Sequence, residues 1–441
     1  GPSEGNFMGV RVPPSALYKG ITSVVPFFIR SDTYIHQKNS DPSPRGSCIV
    51  GNVRSCRAPL PAAPGEVFSC LGISPFSHYL WEKVPSEARG DAGLNKLAVT
   101  QEHTFQMSTT ANNQSPDIFP VFLSGYRCIH SCAYCNARGS SGVTEKPDLD
   151  SIRQDILDWL DKPGGSNVIC EDSQSAGRRR EVALYGNDLL SLPQDFLLQL
   201  MVYCKKLLTE KRLDGLRTSL RPDSILHLQP ENLSLFSTIE IGVPSMDPKV
   251  LKQINRGHSP GLIKPAIEKL RSQKISVGLQ TMIGLPGATL ESDLDTARKL
   301  AETQPDFVRI HPTLVLRNSP LEAAWKAGEY KAMDLESALD RTVKVFQVYE
   351  ERGVNVARCG FHLPEDVRRK VFAAGPWHPA YGQLVKSRIL RNRFYAYLSR
   401  HPDISEIKVP LRELSDALGQ KRSNVKWLSD KLGRRISIVG E

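Results

Sequence analysis

From residue 118 onward, short apolar runs rich in valine, isoleucine and leucine alternate with segments whose apolar residues recur every three or four positions. The first pattern suits a β-strand, the second a helix with one buried side. Strands are expected over 118–123, 181–185, 216–219, 238–243, 276–282 and 307–311. Helices are expected where Ile152, Ile156, Leu157 and Leu160 share a face, and over 196–208, 248–254, 262–270, 294–301 and 334–353. Such β/α units in series build a parallel sheet with crossover helices. Their number falls short of the eight units that close a barrel, so the expected fold class is α/β, an incomplete (β/α)6 barrel of TIM type with an open side. Its chemistry belongs in the loops that follow the strand C-termini.

The flanks read differently. Residues 1–115 show no sustained period, and 11 of the 31 prolines fall in the first 90 positions; only 24–29 and 67–71 look strand-like, so an irregular extension is expected there. Residues 116–358 form the expected barrel, with 164–180 as a surface insertion. Residues 359–441 form a mainly helical region. Within it, proline, glycine and aromatic residues cluster at Gly375-Pro-Trp377-His378-Pro-Ala-Tyr381-Gly382. Two short helices are expected at 411–418 and 425–432, a pair with the length of a small helix-turn-helix.

Composition narrows the class. At 40% hydrophobic and 24% charged residues, the chain has a globular make-up, which excludes wholesale disorder and collagen-like or coiled-coil rods. No apolar run approaches the roughly 20 residues of a membrane span, and no charged segment followed by an apolar one opens the chain, so a cytoplasmic protein without a membrane partner is expected. Nine cysteines are too few for a disulfide scaffold of 441 residues, and their odd number points to metal or thiol chemistry. The net charge is +10, and 13 Lys/Arg stand against 6 Asp/Glu between Lys386 and Glu441. A basic end of this kind serves either a polyanion such as RNA or a solvated helical surface.

The strongest local signal follows the first expected strand: Gly125-Tyr-Arg-Cys128-Ile-His-Ser-Cys132-Ala-Tyr-Cys135-Asn136. Three thiols at spacings of four and three can wrap one metal centre, whereas a closed zinc site or a fully protein-bound cubane wants a fourth ligand. No fourth cysteine is near, and His130 would have to fold back over the loop to complete a zinc site. Three thiolates on a cubane leave one iron open to a small molecule. Cys48, Cys56 and Cys70 match no compact metal spacing.

Cys-x3-Cys-x2-Cys after the first strand of a β/α barrel resembles the radical S-adenosylmethionine (SAM) superfamily. The resemblance implies a [4Fe-4S] cluster on Cys128, Cys132 and Cys135, with SAM on the open iron through its amino and carboxylate groups. It also implies reductive cleavage of SAM to a 5′-deoxyadenosyl radical that takes hydrogen from a substrate, and a reductant protein such as a flavodoxin or ferredoxin. Five further stretches narrow the likeness: Ser219-Leu-Arg221-Pro-Asp223, Ile239-Glu240-Ile-Gly242-Val-Pro-Ser245-Met-Asp247, Asn255-Arg256-Gly257-His258, Gln280-Thr-Met-Ile-Gly284-Leu-Pro-Gly287 and His311-Pro-Thr313-Leu-Val-Leu316. In this order they resemble the radical domain of the Elongator catalytic subunit and its short prokaryotic relatives without an acetyltransferase domain. No acetyl-CoA loop is recognisable in 331–441, so uridine carboxymethylation by a two-domain mechanism is not expected.

The same likeness supplies cofactor-binding candidates. Gly186 and Asp188 stand where the family has a Gly-Gly-Glu-like turn for the SAM amino group, although Asn187 replaces a glycine. Arg221 or Arg256 suits the SAM carboxylate because a guanidinium fork matches a planar anion. Glu240 and Gln280 leave expected strands toward the barrel interior, either to meet ligand or to satisfy one another. Ser245 and His311 complete the set, while Pro244 replaces a ribose-binding glutamine. RNA is the first expectation for substrate, with a peptide or small metabolite as the alternative. A non-catalytic iron-sulfur relative is the reading from a different class.

Overall fold

The computed structural model describes residues 116–162, apart from 127, 129 and 144, together with residues 178–441. The extension 1–115 and most of the 164–180 insertion lie outside the described residues.

Each expected strand forms: β1 Asp117–Phe122, β2 Arg180–Tyr185, β3 Gly215–Leu220, β4 Thr238–Gly242, β5 Ser276–Ile283 and β6 Phe307–Pro312. Two residues of β7, Val315–Leu316, follow, and then β8, Val356–Cys359. The main sheet has seven strands in the order β1-β2-β3-β4-β5-β6-β8, and every pair is parallel. It curls into a half-barrel of the incomplete TIM kind, one strand larger than the six units read from the sequence. The added strand escaped the pattern because it is short, an edge, and exposed at Ala357 and Arg358.

Alternation within the strands separates two faces. Val182, Leu184, Leu216, Ile239, Ile241, Val277, Leu279, Val308 and Ile310 are fully buried in the core shared with the crossover helices. The other face carries Tyr185, Ser219, Glu240, Gln280, Arg309, His311 and Arg358, so the concave side of the sheet is polar. That is the side on which a half-barrel holds its ligands.

Beyond β8, the helix Glu365–Val371 leads into β9 Phe372–Ala374, which pairs antiparallel with β7. The helix Tyr381–Arg400 then packs on the helix Leu335–Glu351 through Val385 and Ile389. The C-terminal segment forms β10 Glu406–Val409, helices Leu414–Leu418 and Ser423–Leu432, and β11 Ser437–Gly440, with β10 and β11 parallel. The two short helices were legible in the sequence, whereas the strands that frame them were not. Leu390, Phe394, Leu398, Ile407, Val409, Leu428 and Ile438 share a small core there. Among the described residues, no helix is long and apolar enough to cross a membrane.

Candidate cofactor site at the barrel mouth

The cysteine loop leaves the C-terminal end of β1, where the parallel sheet presents its loops. Leu123 N–H donates to Tyr185 O at 2.7 Å, so β1 and β2 stay in register up to the loop. Asn187 Nδ2 then donates to Ser124 O at 3.5 Å and to Tyr126 O. The residue that departs from the familiar Gly-Gly-Glu-like turn is therefore a clamp on the first residues of the cysteine loop. Gly186 precedes it at φ +119°, and a Cβ there would crowd Ser124.

Two other segments also fix the loop. Ala133 N–H donates to Ile254 O at 2.9 Å, and Asn255 Nδ2 donates to Ser131 O at 2.9 Å. Ala133 O in turn accepts from Leu321 N–H at 2.8 Å, and Asn136 Nδ2 donates to Arg317 O at 2.7 Å. The 254–258 stretch also supplies Arg256, which is buried and points all three guanidinium nitrogens at partners. Its Nη1 donates to Cys132 Sγ at 3.4 Å, its Nη2 to Gly242 O at 2.7 Å and its Nε to His258 Nε2 at 3.1 Å. The His258 Nδ1–H donates to Ser259 O at 3.1 Å. Burial and the adjacent Arg256 charge pull His258 down to about 4, so it is neutral at pH 7.

Cys128 is half-buried, Cys132 buried and Cys135 exposed. The protein mass around Cys135 and the nearby Cys132 and Cys128 sulfurs push its thiol up to about 12 in the free-thiol form. Among the described residues, no three Cys, His, Asp or Glu side chains close around a single-ion site. A cubane takes each thiolate on a different iron and needs a wider donor set than one ion does, so three soft donors on one loop, one of them beside the Arg256 guanidinium, fit such a cluster. His130 is half-buried on the same loop.

The remaining candidates fall into two groups. Asp188 is buried and accepts Arg221 N–H at 3.0 Å through Oδ2 and Leu190 N–H at 3.1 Å through Oδ1; burial raises its pKa. Arg221 pairs with Asp223 at 3.0 Å through Nε and 2.9 Å through Nη2, which leaves Nη1 buried with no hydrogen-bond partner. An orphaned guanidinium N–H beside the cysteine loop is a place for an anionic oxygen. Arg256, the other arginine considered for the SAM carboxylate, is engaged with Cys132 instead.

Deeper in the half-barrel, Glu240 is fully buried and gathers the second group. It accepts from Tyr185 OH at 2.9 Å and Gln280 Nε2 at 2.7 Å, and pairs with Arg309 at 3.0 Å and Arg217 at 3.7 Å. Of the two possibilities left open for Glu240 and Gln280, the structure has them bonded to each other. Arg217 also pairs with Glu181 at 2.8 Å. His311 Nδ1–H donates to Gly360 O at 3.0 Å, and burial with the Arg309 charge pulls the ring down to about 4. Ser245 lies apart from this floor, with Oγ accepting Asp247 N–H at 3.1 Å and 3.4 Å from Thr296 Oγ1. Sequence reasoning had passed over Asn187 as a clamp and over Arg217 and Arg309. The signal available for the arginines was their position two residues into strands whose neighbours are apolar.

Comparison with known proteins points the same way. The Radical SAM superfamily model matches residues 122–300, and the Radical SAM C-terminal domain model matches residues 305–391. A tRNA uridine(34) acetyltransferase of Dehalococcoides mccartyi is 32% identical over 126 residues, 27% of this chain and 28% of that protein. Protein YhcC of Escherichia coli K12 is 29% identical over 124 residues, 28% of this chain and 40% of that protein. Elongator complex protein 3 of Dictyostelium discoideum is 29% identical over 136 residues, 30% of this chain and 24% of that protein. The matched stretch therefore spans less than half of each relative. Among solved structures, the N-terminally deleted Elp3 of Methanocaldococcus infernus is 18% identical, with a TM-score of 0.44 over 66% of this chain and 64% of that one. With both family models in sequence over more than half of its 441 residues, the chain belongs to the radical SAM superfamily and, within the barrel, resembles the radical domain of the Elongator catalytic subunit.

Proposed function

We infer that this chain is a radical SAM enzyme in which Cys128, Cys132 and Cys135 hold a [4Fe-4S] cluster and that its substrate is RNA. The observation that carries the reading is the Arg256 fork, which fixes Cys132 to the C-terminal end of β4 and sets a positive charge 3.4 Å from its sulfur. When bound, cluster and SAM supply reductive cleavage of the sulfonium and abstraction of hydrogen from substrate. The protein's own part is to hold and orient. Asn187 and Asn255 brace the loop that carries the thiols. Arg221 would offer its unpartnered Nη1 to the SAM carboxylate, with Asp188 holding the Arg221 backbone N–H as a positioning residue. Gly186 lets backbone approach the SAM amino group. The Glu240–Gln280–Arg309 network and neutral His311 would provide the polar floor for the adenosine end.

The C-terminal unit supports RNA. Its two helices are joined by the loop Gly419-Gln420-Lys421-Arg422, in which Gly419, Lys421 and Arg422 all have positive φ. A glycine-led loop between two helices on a small sheet is one way proteins clamp a single-stranded backbone. Lys421, Arg422, Lys426 and Arg435 are exposed, and none forms an ion pair with a described residue.

Anaerobic reconstitution should load about four iron and four sulfide per chain, and dithionite with SAM should release 5′-deoxyadenosine. Cys132→Ala should abolish loading, and Cys204→Ala, on the buried face of the helix Gln194–Thr209, should leave it intact. Stoichiometric zinc without iron uptake would overturn the cluster; loading without any SAM cleavage would leave an iron-sulfur relative that is not an enzyme.

A further inference from the structure

The cluster chemistry makes no use of the cavity at the end of β8. It measures about 480 Å³, within the roughly 300–1,000 Å³ typical of small-molecule sites. One wall is Arg358 and the loop after it, with Phe361 and His362; the other is Trp377, Tyr381 and Lys386. The second wall is the proline-, glycine- and aromatic-rich stretch that the sequence singled out and the radical reading leaves without a role.

That stretch is built into the wall. Tyr381 OH shares a 2.8 Å hydrogen bond with Thr342 Oγ1, which seats the ring against the helix Leu335–Glu351. His378 Nδ1 accepts Ala380 N–H at 3.1 Å and fixes the turn that enters the helix Tyr381–Arg400. Gly360 faces Tyr381 at φ +100°, where a Cβ would come 2.8 Å from the tyrosine Cβ. Gly360 O also accepts from His311, so the cavity wall is continuous with the polar floor of the half-barrel.

The charge in the cavity is unbalanced. Arg358 sits directly across from Arg309 in the β6–β8 register, and like charges in facing positions repel. Arg309 has Glu240 as partner. Arg358 and Lys386 form no ion pair with any described residue, and the wall holds one carboxylate, Asp416. Partial dehydration and the Arg309 charge lower the Arg358 pKa, so an anion placed there relieves a repulsion the protein leaves standing. Phe361, Trp377 and Phe346 line the same cavity, and the Arg368 guanidinium lies over the Trp377 ring, 4.7 Å from its centroid.

We propose that this cavity binds a ring-bearing organic anion of mononucleotide size, its phosphate or carboxylate on Arg358 and Lys386 and its ring against Phe361 and Trp377. The proposal depends on the cavity alone, so its failure and the failure of the cluster assignment are separable.

Calorimetry on the full chain would use four probes: uridine 5′-monophosphate, benzoate, uridine and inorganic phosphate. At least one of the first two should bind ten-fold or more tightly than uridine and inorganic phosphate, which each carry half of the recognised chemistry. Tighter binding of the nucleotide assigns a phosphate source, and tighter binding of benzoate a carboxylate source. Arg358→Ala and Lys386→Ala should each weaken the favoured probe ten-fold or more, Arg358→Lys should restore part of the loss, and iron loading and thermal midpoint should stay at parent values. Millimolar probe with no heat of binding, or affinity unchanged in both alanine variants, would overturn the proposal.

Discussion

His130 of the cysteine loop stands directly against Gly257 of the 254–258 segment: at φ +77°, a Cβ on Gly257 would overlap the imidazole ring. The same few residues carry Arg256 to Cys132, so the absence of a side chain at one position sets how closely the segment approaches the thiols. Gly257→Ala meets both a left-handed backbone and the ring, at a cost of about 1–3 kcal/mol. It should fold with a lower urea midpoint and a reduced iron content after reconstitution. His130→Ala in the same chain removes the overlap but not the backbone strain, so the double variant should regain part of the iron. Full loading in Gly257→Ala alone would show that the approach does not matter.

Arg256 makes three hydrogen bonds in three directions, which a lysine ammonium on its flexible stem cannot reproduce. Arg256→Lys should lose about 1–3 kcal/mol of stability, because the buried Cys132 Sγ or the half-buried Gly242 O is left without its donor. The reconstituted variant should hold its cluster less firmly, read as faster bleaching of the iron-sulfur absorbance in air. Bleaching at the parent rate would assign Arg256 to packing only.

Much of this site could be read before the fold was known, and the remainder could not for physical reasons. The edge strand β1 and the five inner strands β2 to β6 were legible because apolar residues such as Val182, Ile239 and Val277 recur on the face packed against the helices. β8 has two exposed residues out of four, and β10 and β11 are four-residue strands on a separate small core, too short for a period to emerge. The cysteines were visible from their spacing. The partners of Arg256 and Arg221 were not, since a guanidinium reads the same whether it faces a sulfur, an aspartate or nothing. The pairing of Glu240 with Gln280 depends on β4 and β5 being neighbours in register, with Gly242 opposite Gln280. Sequence distance carries no such information.

His311 offers a test through pH. Its folded-state pKa is depressed to about 4 by burial and the Arg309 and Arg358 charges, against about 6.5 unfolded. The unfolded chain therefore binds the proton more readily between those values, and the stability that neutral His311 contributes is complete above about pH 6.5 and is lost as pH falls toward 4. From pH 7 to pH 5 the loss should be about 2 kcal/mol, and His258, depressed in the same direction, adds to it. His311→Gln keeps a donor for Gly360 O and cannot titrate. Its urea midpoint should fall less steeply between pH 7 and 5 than that of the parent; parallel curves would place the acid sensitivity elsewhere.

The basic C-terminal unit separates two kinds of arginine that look alike in the sequence. Arg434 is not available to a partner: it donates to the carbonyls of Leu398, His401 and Ile404 and ties β11 to the end of the helix Tyr381–Arg400. Lys421 and Arg422 lie on the exposed loop at the start of the helix Ser423–Leu432, where Asn424 anchors the backbone by donating to Ser387 O and Ala417 O at 2.9 Å each. Arg434→Ala should lower the thermal midpoint and leave the salt dependence of tRNA binding by the folded protein unchanged. Lys421→Glu with Arg422→Glu should do the reverse. Each lost single-strand phosphate contact flattens the plot of log affinity against log salt by about 0.7, so the pair should flatten it by about 1.4 or more. SAM cleavage without substrate should stay at the parent rate, because neither residue reaches the half-barrel. Equal tRNA affinity in parent and double variant at low salt would reduce the loop to a solvated surface and move the substrate to a peptide or small metabolite.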